Sequence, residues 1–156
     1  DEDSLLGAQW LKGGVIYTEL VLDNPTDQIT RAVCNMNNVH VKTTPIINNN
    51  KINFKVKITT EGDLMEIKNV NTIVYTEEEI KRIEQALEQK IIQICRESLN
   101  LLQKEYGADG LDWDWEVRDK HYSFWQVNKD RWDELFSAAQ MDLEVEAKIR
   151  RTGLTR

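Results

Sequence analysis

Four carboxylates with a suggestive spacing lie in one ten-residue stretch, GADGLDWDWE, which runs from Gly107 to Glu116. The four acids are Asp109, Asp112, Asp114 and Glu116. They follow one another at spacings of three, two and two, with two tryptophans between them. Closely spaced carboxylates can transfer protons as a general acid and base, or they can bind calcium. The stretch therefore raises a catalytic, a cation-binding and a purely structural or interaction hypothesis.

The catalytic hypothesis depends on the spelling D-G-x-D-x-D-x-E from Asp109 to Glu116, which matches the signature of chitinase-type glycoside hydrolases. In those enzymes the last Glu protonates the glycosidic oxygen, and the motif ends a strand of a (β/α)₈ barrel that needs about 200 residues or more. This chain has 156 residues, and no βαβα alternation surrounds the motif. The alternation of acidic and apolar residues would still allow a local strand, so a chitinase-like hydrolase is kept as an alternative.

The spacing weakens the calcium hypothesis. An EF-hand loop that began at Asp112 would require glycine at Val117 and glutamate at Ser123. If the stretch is helical, a rotation of 100° per residue leaves only Asp112 and Glu116 as neighbours one turn apart. We therefore predict no catalytic residues, no metal site and no cofactor.

Composition limits the remaining function classes. The chain is 40% hydrophobic, which suits one domain with a real core, and 20 basic against 27 acidic residues give a formal charge of -7. No basic block is present, which argues against nucleic-acid binding, and no apolar run approaches the roughly 20 residues of a membrane span. Cys34 and Cys95 lack metal-ligand spacing and are predicted to be core thiols, while His40 and His121 are assigned packing or surface roles.

The first half of the chain has the composition of strands and turns. A β-branched and aromatic run at 14–23 stops at Asn24-Pro25, and an alternating run follows at 52–59. Turns are predicted at 45–50 and at 61–63. Residues 1–75 are therefore expected to form mainly an antiparallel meander.

The second half changes to helical periodicity at Thr76, where Thr76 and Glu79 have capping-box spacing. Apolar residues then recur every three or four positions until Gly107, which predicts a helix of about 45 Å. Its core-facing residues are predicted to be Ile83, Leu87, Ile91 and Ile94. Residues 76–137 are expected to be helical, and the strict alternation at 140–151 predicts a strand that is central or at least firmly paired.

These elements predict an α+β fold, with an antiparallel β-sheet, one long α-helix packed on a face, and short C-terminal helices. Four ordered motifs, LLQKEYGAD, a tryptophan-bearing helical stretch, WDELF and an alternating strand ending in IRRTG, resemble the C-terminal domain of the spore germination Ger(x)C lipoproteins. These lipoproteins are the C subunits of nutrient germinant receptors. The resemblance is strong over 76–153 and loose upstream. Family members continue after Gly-Ala-Asp with an apolar pair and Gly-Phe-Gly, where this chain has Asp112-Trp113-Asp114.

The resemblance implies a three-domain protein that is lipid-anchored at the outer face of the spore inner membrane and works with the receptor A and B subunits. Residues 1–156 would then be a single domain, the soluble C-terminal part of a longer chain, because the sequence begins without methionine and lacks the lipobox cysteine. No catalytic residue set is established for such subunits. The function expected is therefore non-catalytic, in receptor assembly or signalling. Binding of a small-molecule germinant is a further alternative.

The tryptophans of the opening stretch suggest where a partner would bind. If 109–120 is helical, Trp113 and Val117 share one face, and Leu111 and Trp115 share the opposite one. The family's large aromatic at the Trp113 position makes that face the inward one, which leaves Trp115 partly exposed. The alternative is that Trp115 packs under a neighbouring loop. The predicted partner-contact residues are Trp115, Asp112 and Glu116.

Overall fold

One layer of helices covers one face of a four-stranded sheet. A computed structural model describes residues 2–13, 17–69 and 76–152. The helices are α1 (Glu2–Lys12), α2 (Glu77–Leu101), α3 (Trp113–Lys120), α4 (Tyr122–Asn128) and α5 (Trp132–Ala138). The strands are β1 (Tyr17–Asp23), β2 (Ile29–Asn48), β3 (Lys51–Asn69) and β4 (Gln140–Thr152). None of the described helices is long and apolar enough to cross a membrane.

The sheet confirms the α+β class, with one difference in strand direction. Its order is β1-β2-β3-β4, and the first three strands are antiparallel. Strand β4 pairs with β3 in parallel, from Asn53 opposite Gln140 to Leu64 opposite Thr152. The sheet is therefore mixed, because the intervening helices return the chain to the end at which β3 begins. Strand β4 is firmly paired, as predicted, but it lies at an edge and not at the centre.

Strands β2 and β3 form one hairpin of 20 and 19 residues, where several shorter strands were predicted. The chain turns at Asn49 and Asn50, which have positive φ values of 51° and 60°, as a tight hairpin turn requires. Pro45 is inside β2 and not in a turn. Strand β1 pairs only with the part of β2 that ends at Asn37, so β2 is an edge strand at Pro45. Proline is tolerated there because an edge position needs no N–H donor.

The predicted turn at Glu61–Asp63 is also wrong, because Gly62 lies within the continuous strand β3. A side chain at Gly62 would collide with the carbonyl oxygen of Asn35 and with the sulfur of Met36. The pairing of β3 with both neighbours is irregular at or beside this position. Gly62 therefore allows a close approach of two backbones, which is the other common use of glycine in a strand.

Helix α2 begins and ends as predicted. The Thr76 hydroxyl accepts a hydrogen bond from the Glu79 N–H at 3.2 Å, and the helix continues as a π-helical turn, Leu102–Tyr106, before Gly107 at a φ of 61°. Three of its predicted core residues are fully buried: Ile83, Leu87 and Ile91. Ile94 is only half-buried. The Ile94 carbonyl faces Gly7 of α1, where the absence of a side chain lets α1 and α2 approach closely. Helix α1 was not predicted, since glycine lowers helix propensity.

Side chains cover parts of the sheet edges. The buried Glu84 of α2 accepts a hydrogen bond from the Ile149 N–H of the edge strand β4 at 2.9 Å. On the free part of β2, Lys120 donates to the carbonyl oxygen of Thr43 at 2.7 Å, and His121 Nε2 lies 3.0 Å from that of Pro45. Such contacts occupy edge groups that could otherwise pair with another strand. They also fix the C-terminal end of α3 against the sheet.

Candidate partner-contact site

Asp109 organises the loop that leads into α3. Its carboxylate accepts hydrogen bonds from the backbone N–H groups of Leu111 at 2.8 Å and Asp114 at 2.9 Å, and from the indole N–H of Trp132 at 3.2 Å. Burial raises the pKa of this carboxyl, although the donors act in the opposite direction. Asp109 thus joins the loop to the first turns of α3 and α5. This role was not predicted from the sequence, although an aspartate that accepts a hydrogen bond from the N–H two residues later is a common loop pattern.

Helix α3 begins at Trp113, later than the predicted start at Asp109. Asp112 precedes it with a left-handed backbone at φ 58°, which aspartate tolerates better than most residues, and its carboxylate pairs with Lys12 of α1 at 3.5 Å. Leu111 therefore lies outside the helix and is buried. The prediction that Leu111 shares the outer face with Trp115 is wrong, because it assumed a helix that begins before the loop has ended.

Trp113 faces the core, as predicted, and is 2% exposed. Its ring stacks on Phe54 of β3 with centroids 4.2 Å apart and meets Phe136 of α5 edge-on at 6.0 Å. Val117, one turn later, is fully buried on the same side. Aromatic pairs of this geometry add to the free energy gained from burial alone. The inner face of α3 is therefore tightly bound to the sheet and to α5.

Trp115 faces outward and is 61% exposed. The prediction of an exposed side chain is confirmed, and the alternative in which Trp115 packs under a loop is wrong. The guanidinium of Arg118 lies over the indole, with its central carbon 5.2 Å from the ring centroid. This distance is within the range of cation–π contacts. The outer face of α3 thus presents an aromatic ring with a cation already placed on it.

Glu116 completes the predicted set. Its carboxylate pairs with Lys120 at 2.9 Å, and the same Lys120 ammonium bonds the Thr43 carbonyl of β2. Asp112 and Glu116 therefore do not act as a pair, since each binds a different lysine. The structure places Asp112 directly before one short helix and Trp115 and Glu116 on its first turn, and it adds Arg118 to them.

Three of the four acids of the opening stretch already have side-chain partners within the fold. Asp109 holds three N–H donors, and Asp112 and Glu116 are in ion pairs. Five of the cavities on the described surface have volumes of about 240 to 480 Å³, and none of these five is lined by an acid of the stretch. In the described ranges, no group of three or more His, Cys, Asp or Glu side chains could hold a metal ion. This geometry favours a structural and surface role for the stretch.

Comparison with known proteins decides the family. The model of the family described as "Spore germination B3/ GerAC like, C-terminal" matches residues 1–153 of the chain. The chain belongs to this family. The resemblance inferred from the four motifs is therefore confirmed. The family takes its name from spore germination.

Two relatives in Bacillus subtilis (strain 168) carry germination names. Spore germination protein B3 is 27% identical over 143 residues, which is 92% of this chain, and spore germination protein YndF is 30% identical over 151 residues, which is 94% of it. In both cases the match covers 36% of the relative. The chain thus spans little more than a third of the length of the curated relatives that it matches.

The fold also matches a solved structure. The crystal structure of the GerBC protein superimposes with a TM-score of 0.84 over 94% of this chain and 45% of that one, at 22% identity. At this identity the likeness supports the fold alone. Neither the family description nor the names of these relatives mention a hydrolase or a small-molecule ligand.

Proposed function

We propose that this chain is the C-terminal domain of a lipid-anchored C subunit of a nutrient germinant receptor, located at the outer face of the spore inner membrane. Within the receptor it acts in assembly or signalling and catalyses no reaction. Membership of the germination family and the names of two relatives support this proposal. Three carboxylates of the GADGLDWDWE stretch, those of Asp109, Asp112 and Glu116, are occupied within the fold, which supports a non-catalytic role.

The surface that carries this function is the outer face of α3, at Trp115, Asp112 and Glu116, and its partner is the receptor A or B subunit. The exposed indole of Trp115 is the observation on which the assignment rests. Tryptophan is among the residue types that contribute most to binding at protein interfaces. Its neighbours are rigidly mounted, because Trp113 anchors the inner face of the helix and Lys120 binds the sheet edge. A rigid surface loses less entropy when it binds.

The test replaces Trp115 by alanine in the full-length parent protein. Tagged parent protein is purified from detergent-solubilised spore inner membranes, and the A and B subunits that accompany it are quantified. We expect their affinity for the variant to fall about thirtyfold or more, since loss of a hot-spot side chain costs at least about 2 kcal/mol. The melting temperature of the variant should equal that of the wild type, because the indole contributes little to the core.

Tyr17→Ala is the matched control, since Tyr17 lies on β1 and is 66% exposed. Its removal should leave the recovered subunits unchanged. Full recovery with Trp115→Ala would exclude this surface, and a lowered melting temperature would assign Trp115 to the packing of the domain. If the wild-type parent recovers neither subunit, the receptor proposal itself fails.

A further inference from the structure

We infer that Arg118 and Trp115 together form a clamp for one carboxylate of the partner protein. In this arrangement the guanidinium binds an aspartate or glutamate of the partner, and the indole contacts an apolar side chain beside it. The inference rests on the proposed function, because it names the chemistry that the outer face of α3 would recognise. Arg118 was not among the partner-contact residues predicted from the sequence.

The position of the Arg118 side chain is the first observation. Its guanidinium lies over the Trp115 ring, three residues earlier in the helix, and it takes part in no ion pair within the described residues. Asp114 is four residues earlier, at the spacing that favours an ion pair on a helix. Arg118 nevertheless lies over the indole, and its N–H donors bond no carboxylate among the described residues.

The neighbouring cations are already occupied, which is the second observation. Lys12 pairs with Asp112, and Lys120 pairs with Glu116 and also bonds the Thr43 carbonyl. Arg118 is thus the cation of this surface that has no carboxylate among the described residues. A guanidinium offers five donors in a planar fork that fits both oxygens of one carboxylate, and a cation–π contact with an aromatic ring restrains its position.

The acidic residues of α3 limit which partner segments could bind. Asp114 is half-buried and Asp119 is exposed, and both lie close to Arg118 in sequence. They would repel a run of acidic residues, since like charges raise the free energy of a complex. The fitting partner segment therefore carries a single carboxylate next to an apolar or aromatic side chain, and not a polyacidic sequence.

The experiment compares Arg118→Lys with Arg118→Glu in the full-length parent protein, using recovery of the A and B subunits from spore inner membranes. Lysine keeps the positive charge but lacks the planar, five-donor geometry of the guanidinium, so we expect Arg118→Lys to bind the subunits about tenfold more weakly. The reversed charge of Arg118→Glu should weaken binding about a hundredfold or more. Arg96→Glu, an exposed position on α2, makes the same change of net charge elsewhere. It should leave recovery unchanged, and all three variants should melt at the wild-type temperature.

A photoreactive residue at position 119 identifies the partner segment, because Asp119 is exposed and adjacent to Arg118. Mass spectrometry of the cross-linked peptide should reveal an aspartate or glutamate, and reversal of its charge should restore binding to Arg118→Glu. A cross-linked segment without a carboxylate would overturn the clamp, and so would wild-type recovery with either Arg118 variant. If Trp115→Ala still weakens binding in those cases, the surface stands and only the clamp fails.

Discussion

Asp109 is the residue on which the geometry of the candidate surface depends, because one carboxylate satisfies N–H groups from three parts of the chain. Its role was not predicted from the sequence, since the contact with Trp132 spans 23 residues. The opposite orientations of Trp113 and Trp115 were predicted correctly. They follow from helical rotation alone once one of the two faces is known to be buried.

Replacement of Asp109 by alanine should lower the free energy of unfolding by about 2 to 4 kcal/mol. The variant leaves three N–H donors without their acceptor, and each buried donor that loses its partner costs about 1 to 3 kcal/mol, with incomplete additivity. Urea denaturation measures the change. Asp133→Ala, an exposed position in α5, should stay within about 0.5 kcal/mol of the wild type. An Asp109→Ala midpoint equal to that of the control would show that water replaces the carboxylate without cost.

The two cysteines should be unreactive in the folded protein. Burial raises the pKa of both Cys34 and Cys95 to about 12, so the reactive thiolate is almost absent at pH 8. In the unfolded chain the thiol pKa returns to about 8.5, and a substantial fraction ionises. Ellman's reagent should therefore react slowly in buffer and rapidly in denaturant. Rapid reaction of either thiol under native conditions would contradict its assignment to the core.

Among the helices and strands, the features that were predicted correctly are those that depend on interactions between residues close in sequence. The capped start of α2, its stop at Gly107 and the alternation of β4 all depend on residues close in sequence, and all three were correct. The turns predicted at Pro45 and Gly62 were wrong. Pro45 lies within β2 where that strand has a free edge, and Gly62 lies within β3 where it closely approaches β2. The parallel direction of β4 was also missed, since side-chain alternation is the same in both directions.

Val145→Asp tests whether the edge strand β4 belongs to the core. Val145 is 6% exposed and lies opposite Ile58 of β3, so a carboxylate would enter an apolar environment at a cost of several kcal/mol. We expect loss of the cooperative thermal transition. Glu146→Ala changes the next residue on the exposed face and should melt like the wild type. A soluble Val145→Asp variant with an unchanged melting temperature would show that β4 can leave the sheet without unfolding it.

At the scale of the whole molecule, the sheet is covered by helices on one face, and charged side chains line the other. Three acids of β4 are exposed there, Asp142, Glu144 and Glu146, beside lysines of the hairpin. This arrangement explains how a chain with a formal charge of -7 and 40% hydrophobic residues builds a core from only one side of the sheet. The layer of helices on one face of a sheet was predicted from the sequence. The geometry of the α3 surface was not, because it depends on contacts between residues far apart in sequence, such as Asp109 and Trp132.

If α3 binds a receptor subunit, its outer face is exposed in the isolated domain and covered in the receptor. Asp119→Cys places a thiol on that face while Trp115 and Arg118 are kept, and the native cysteines are buried. Asn100→Cys, on an exposed position of α2, is the control. The rate of maleimide labelling is measured for each peptide, in the isolated domain and in intact receptor in spore inner membranes. We expect position 119 to be labelled at least about tenfold more slowly in the receptor, while position 100 is unaffected. Equal rates at position 119 in both samples would show that no subunit covers the outer face of α3.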